Sequence, residues 1–195
     1  MKIVIDGNIG AGKTTQLGLL ESKGWYVHRE PIDQWPLKEF YEDRTRWAFL
    51  LHMRILQTLR PVMTHRHVVY ERCLSSSHDV FWSLVQDQVH RTENEIYNYY
   101  FEKTVWYPDI YIYLAKDPEI AHDHVMKRHQ TGDESISIEY LRTLDEKYNR
   151  LVQTIQSDRI YVVDANRTED EIHKEICAIL LKNELFVCNS YRQEM

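Results

Sequence analysis

Short apolar runs and longer mixed stretches alternate along the chain. The runs KIVI, GWYVH, HVVY, DIYIYL and RIYVVD are rich in β-branched and aromatic residues, which predicts strands near 2–6, 24–29, 66–71, 109–114 and 159–164. The stretches between them carry apolar residues at helical spacing. Strand and helix in turn predict an α/β domain, a five-stranded parallel sheet with helices on both faces. In such a sheet the ligand is expected outside the carboxyl ends of the strands, where strand order reverses. Neither a repeat nor a Pro/Gly-rich linker interrupts the pattern, so residues 1–195 are expected to form a single domain.

Two local signals refine the helices. The stretch from Leu37 to Leu59 could be one long helix, but Asp43 followed by Arg44 and Thr45 is a plausible N-cap for a second one. Near the other end, Thr168-Glu-Asp-Glu171 precedes Ile172, Ile176, Ile179 and Leu180, a capping-box start to a final packing helix.

Composition removes several function classes. A net charge of −6 over 195 residues argues against a nucleic-acid polymer as partner, while a local cluster of Arg and Lys can still serve a small anion. Three cysteines, Cys73, Cys177 and Cys188, are odd in number and lack C-x-x-C spacing, as expected of reduced thiols. With no signal, transit or membrane-spanning pattern, the expected location is the cytoplasm, with no membrane partner.

The chemistry begins in GNIGAGKTT. Gly7 through Thr14 fits the G-x-x-x-x-G-K-[ST] phosphate-binding loop, directly after a strand and before a helix. Gly7, Gly10 and Gly12 let the backbone N–H groups of Gly7, Asn8, Ile9, Gly10, Ala11, Gly12, Lys13, Thr14 and Thr15 wrap phosphate oxygens. Lys13 is expected on the β- and γ-phosphates of ATP and the Thr14 hydroxyl on Mg²⁺. No N-K-x-D base-reading sequence is present, which weakens a GTPase switch.

Two further stretches, EPIDQW (Glu30 to Trp35) and YERCLSSS (Tyr70 to Ser77), follow the second and third predicted strands. Together with GNIGAGKTT they resemble the deoxyribonucleoside kinases, over Ile3 to about Leu144, in the compact length of viral forms. The resemblance implies a phosphate-loop nucleoside kinase fold and transfer of the ATP γ-phosphoryl group to a deoxyribonucleoside 5′-hydroxyl. It implies Glu30 as general base, Arg72 bridging the 5′-oxygen and the moving phosphoryl group, and Glu71 beside Mg²⁺. Arg128 would belong to a short lid at about 127–136, in which Gln130 replaces an arginine of the family pattern. Tyr41 and Glu134 would bind the 3′-hydroxyl, and Trp35 and Phe81 would line the base slot. A homodimer and inhibition by an end-product triphosphate are also implied.

The base slot departs from the family. Trp47 and Ala48 match, but Leu51 and His52 stand where a phenylalanine and a base-reading glutamine are usual. His52 either reads the base or makes a structural hydrogen bond, since a neutral imidazole serves both. A continuous helix would set Tyr41 and His52 roughly 16 Å apart, too far for one nucleoside, so the helix is expected to break at Asp43. Leu59 and Ser77 replace the Arg–Asp pair of the deoxycytidine and purine branch, which leans toward thymidine or broad pyrimidine use. Rival readings are a thymidylate-type monophosphate kinase, from the PDIYIYL stretch at Pro108 to Leu114, and a nucleotide-dependent switch. The pairs His65 and His67, and His122 and His124, lack a third ligand at usable spacing, so Mg²⁺ arriving with ATP is the expected metal.

Overall fold

The computed structural model describes residues 1–62, 65–128 and 133–185. Five strands, β1 (Lys2–Gly7), β2 (Val27–His28), β3 (Val68–Glu71), β4 (Ile110–Ala115) and β5 (Arg159–Asp164), form one parallel sheet in the order β2-β3-β1-β4-β5. Helices α1 (Lys13–Ser22), α2 (Leu37–Glu42), α3 (Arg44–Thr58), α4 (Leu74–Ser76), α5 (Arg91–Thr104), α6 (Pro118–Arg128), α7 (Ile138–Thr154) and α8 (Glu169–Lys182) connect or follow them. The chain runs β1-β2-β3 to one side of β1 and then crosses to β4 and β5. The loops after β1, β2 and β3 therefore gather at one end of the sheet.

All five expected strands are present. β2 is the shortest, keeping two residues of the GWYVH run, because Trp25 enters through a turn closed by its N–H on Leu20 O (3.1 Å). The alternation of strand side chains builds two cores. Ile3, Ile5, Val69, Ile110, Ile112 and Val163 pack under α1 and α8, whereas Val4, Tyr70, Tyr111 and Tyr113 pack against α3, α5 and α7. Among the described residues no helix is long and apolar enough to cross a membrane.

The helix breaks at Asp43 as expected. Asp43 leaves helical geometry at φ −145° and its carboxylate accepts the Arg46 N–H (3.1 Å), so α3 starts with a new direction. Thr168 and Glu171 cap α8 reciprocally, each side chain meeting the other's backbone N–H.

The phosphate loop is seated by glycine. Gly10 has φ +80°, and a Cβ there would lie 2.3 Å from Ala121 O on α6. Gly12 has φ +94° but open space around it. The two positions are thus expected to respond differently to alanine. Gly12→Ala should cost about 1–2 kcal/mol, the left-handed penalty alone, and Gly10→Ala clearly more, because loop or helix must also shift. Urea unfolding of the ligand-free variants checks this; equal losses would show that α6 does not hold the loop.

Candidate active site

Each expected motif leaves the carboxyl end of a neighbouring strand: the phosphate loop after β1, Glu30 after β2, and Glu71 and Arg72 at the end of β3. Gly12 caps α1 without any side-chain hydrogen bond, which leaves the first N–H groups of that helix available to a phosphate. Asn8 braces the loop, donating to Leu141 O (2.8 Å) and accepting the Ile9 N–H (2.8 Å). Lys13 curls back onto the loop and donates to Gly7 O (3.0 Å) and Asn8 O (2.8 Å). Burial, with repulsion from Arg72, lowers its pKa to about 7, against the opposing pull of Glu71, Glu30 and Asp6.

The structure brings Glu30, Arg72, Thr14 and Glu71 together. Arg72 Nη1 donates to Glu30 Oε2 (2.6 Å), Nη2 to Gly7 O (3.2 Å) and Nε to the Tyr148 hydroxyl (2.9 Å). Its guanidinium lies 5.1 Å over the Phe81 ring and 3.6 Å from Asp6 Oδ1. Burial raises the Glu30 pKa, while Arg72 pulls it down; Glu71 and Asp6 add to the rise. A carboxylate raised in this way is a better proton acceptor near neutral pH.

The Thr14 hydroxyl donates to Glu71 Oε1 (3.1 Å). A hydroxyl and a carboxylate touching at the helix end of a phosphate loop form an all-oxygen donor pair that fits Mg²⁺, with phosphate and water completing its shell.

The acceptor side is only partly as expected. Trp35 is half-buried and its indole N–H is tied to Thr58 Oγ1 (2.9 Å), which fixes the ring against the end of α3. Tyr41 is half-buried too; burial raises its pKa, and Arg44, Arg128, Asp133 and Arg72 are the charges that act on it. Glu134 differs from its neighbour in burial. It sits in the 3₁₀ turn Asp133–Ser135 and is exposed, whereas Asp133 is 5% exposed and faces inward. With three residues per 3₁₀ turn, two neighbours cannot face the same way. Asp133 takes a two-point grip from Arg128, whose Nε and Nη2 donate at 2.9 and 2.8 Å. Arg128 is therefore anchored to an acid whose charge acts on Tyr41. The rest of the expected lid, residues 129–132 with Gln130, lies outside the described residues.

His52 is 2% exposed, and the ring edges of Trp82 and Tyr97 meet it at 5.2 and 6.0 Å between centroids. Burial lowers its pKa to about 3, so it is neutral at physiological pH. Its Nδ1 has no hydrogen-bond partner among the described residues, and neither do Ser77 Oγ, Trp82 Nε1 or the Tyr97 hydroxyl. Ser77 lies beside the Tyr97 hydroxyl without the geometry of a hydrogen bond. Ser77–Phe81 winds as a π-helix, a form frequent at functional sites, and Phe81 precedes Trp82 directly. Four uncharged polar groups in one buried cluster would be costly in a dry core. Sequence reading missed Asp6, Asp133, Tyr97 and Tyr148 as site neighbours. Asp6, inside the strand before the loop, and Asp133, inside the lid stretch, lay next to a motif, whereas Tyr97 and Tyr148 did not.

The Deoxynucleoside kinase family profile matches residues 3–185. Protein 143R of Invertebrate iridescent virus 6 is 30% identical over 182 residues, covering 89% of this chain and 93% of that one. Protein 029R of Invertebrate iridescent virus 3 is 29% identical over 186 residues, covering 91% and 95%. Other relatives carry the names deoxycytidine, thymidine, deoxyadenosine and deoxyguanosine kinase. The solved deoxyadenosine kinase of M. mycoides with bound dCTP superposes with a TM-score of 0.79 at 25% identity, covering 93% of this chain and 100% of that one.

The Lys13 environment yields a test. A bound phosphate favours the protonated ammonium, so ATP binding near pH 7 to 8 is expected to take up a proton. Calorimetry in buffers of different ionisation enthalpy measures this. Affinity should weaken as pH rises above about 7. Binding without proton uptake would show that Lys13 is already fully charged in the free protein.

Proposed function

The chain belongs to the deoxynucleoside kinase family, and from that premise we propose that it transfers the ATP γ-phosphoryl group to the 5′-hydroxyl of a deoxyribonucleoside, preferring thymidine or pyrimidines. The observation that carries the reading is the Glu30–Arg72 pair (2.6 Å) beside the phosphate loop. A carboxylate that accepts the 5′-hydroxyl proton and an arginine that meets the moving phosphoryl oxygens belong side by side.

In this scheme the N–H groups of the loop and Lys13 hold the donor phosphates. Thr14 and Glu71 would hold Mg²⁺, which would neutralise charge on the phosphates when bound. Glu30 takes the proton as its oxygen turns from Arg72 to the nucleoside hydroxyl. Arg72 then offers its freed N–H groups to the transferred phosphoryl group, its planar fork spanning two oxygens. Tyr41 and Glu134 would hold the 3′-hydroxyl, with Arg128 anchored to the neighbouring Asp133.

The base would lie against Phe81 and Trp35, its edge toward His52 and Ser77. Support for a pyrimidine comes from uncharged groups where the resemblance leads one to expect a charged pair: Leu59 is an apolar core residue and Ser77 a hydroxyl. A neutral histidine and a hydroxyl can each donate and accept, which suits a keto-bearing edge. Ile96, Tyr99 and Tyr100, apolar and exposed on α5, support the homodimer that the resemblance implies. Inhibition by an end-product triphosphate and a cytoplasmic location remain part of the same proposal.

The decisive assay supplies Mg-ATP with a panel of deoxynucleosides and with thymidine monophosphate. Phosphorylation of deoxynucleosides, thymidine or deoxycytidine fastest, is expected; transfer to the monophosphate alone would replace this reading. Glu30→Gln should lower turnover about 10²–10⁴-fold, the usual share of general-base catalysis. The rate of the wild-type enzyme should fall as pH drops through the raised Glu30 pKa, because the base must be ionised. In a third arm, His52→Ala should change the ranking of bases; an unchanged ranking would make His52 a packing residue only.

A further inference from the structure

Tyr148 lies in the middle of α7, fully buried and remote in sequence from every motif. Its hydroxyl accepts from Arg72 Nε (2.9 Å) and faces Asp6 Oδ1 at the same distance. Arginine has no acceptor, so the single phenol proton must go to Asp6. Burial pushes the phenol pKa well above its ordinary value, so that proton stays in place across the working pH range. The ring is clamped as well, stacked on Tyr113 at 5.5 Å and edge-on to Phe81 at 6.3 Å.

Asp6 Oδ1 also accepts the Gly7 N–H (2.8 Å), the first amide of the phosphate loop. A continuous chain of hydrogen bonds therefore runs from the loop through Asp6 and Tyr148 to Arg72. Arg72 needs such a hold. Its backbone has φ +60°, a left-handed conformation that a side chain of this size rarely adopts without being fixed by its surroundings. The guanidinium has five N–H donors. Tyr148 takes the one on Nε, while Glu30 and Gly7 O take one on each Nη. The two that remain are both on the terminal nitrogens, the pair able to fork onto two oxygens.

We propose that Tyr148 is a positioning residue for phosphoryl transfer: its hydroxyl sets the rotation of the Arg72 guanidinium and keeps that arginine in register with the phosphate loop. The proposal rests on the reading of Arg72 as the group that meets the transferred phosphoryl. It adds a role for α7, the helix that follows the lid segment, in which the core of the protein aims the arginine.

Tyr148→Phe keeps the ring and removes only the hydroxyl. Turnover should fall about 10- to 100-fold, the scale of a small misplacement of a catalytic group. KM for ATP and nucleoside should change less than about twofold, a split that lost packing alone does not produce. Asp6→Ala in the Phe background should cost less than Asp6→Ala alone, because both changes break one chain. A crystal structure of the Phe variant should show the Arg72 guanidinium rotated away from its wild-type position. Full turnover in a folded Phe variant, additive losses, or an unmoved Arg72 would each overturn the proposal. If the Phe variant does not fold, the Asp6→Ala crystal structure decides by the same displacement. If the wild-type protein phosphorylates no deoxynucleoside, the kinase reading falls, and the position of Arg72 still tests the chain of hydrogen bonds.

Discussion

A buried guanidinium organises this protein. Arg72 stands at the end of β3 in a left-handed backbone conformation and meets side chains or backbone from β1, the segment after β2, and α7. An unpaired charge at this depth would cost several kcal/mol, so the surrounding elements must arrive together to satisfy it. Glu30, Tyr148 and the Gly7 carbonyl do so at 2.6, 2.9 and 3.2 Å. The sheet order makes this feasible, because β2, β3 and β1 are neighbours and deliver their loops to one place.

The charges around it are unevenly balanced. Asp6, Glu30 and Glu71 face Lys13 and Arg72 in a buried region, where Lys13, Glu30 and Arg72 are shifted by burial and by the charges around them. Lys13 loses its grip on its proton and Glu30 holds on to one more readily, both mainly because burial penalises the charged form. Those are the two groups for which a ligand would restore the favoured state: a phosphate for the lysine, a nucleoside hydroxyl for the carboxylate. A site tuned in this way stores part of its binding preference in proton equilibria, which couples substrate binding to pH.

Donor and acceptor sides differ in how they are built. The donor side is backbone and glycine, and its shape is fixed by how closely Gly10 approaches α6. In the proposed reading, the acceptor side would be side chains borrowed from α2, α3, the π-helical stretch after β3 and the 3₁₀ turn Asp133–Ser135. Phosphates are alike in every nucleotide, whereas bases are not, so that reading would put the variable part of the chemistry on elements whose residues can change without disturbing the sheet.

The sequence by itself determined the strands, the break at Asp43, the capping box of α8 and the phosphate loop. Each of these depends on residues close together in the chain: β-branched runs, a carboxylate capping its own helix, glycines at fixed spacing. It also singled out Glu30 and Arg72, through motifs that carry a resemblance. Only the tertiary structure decided which carboxylate of Asp133 and Glu134 faces inward, because a 3₁₀ turn turns neighbours apart and chain order is silent on the phase. It alone decided that His52 is neutral, since that follows from burial beneath Trp82 and Tyr97. And it alone joined Tyr148 to Asp6, 142 positions away, because a hydrogen bond between distant residues leaves no local pattern to read.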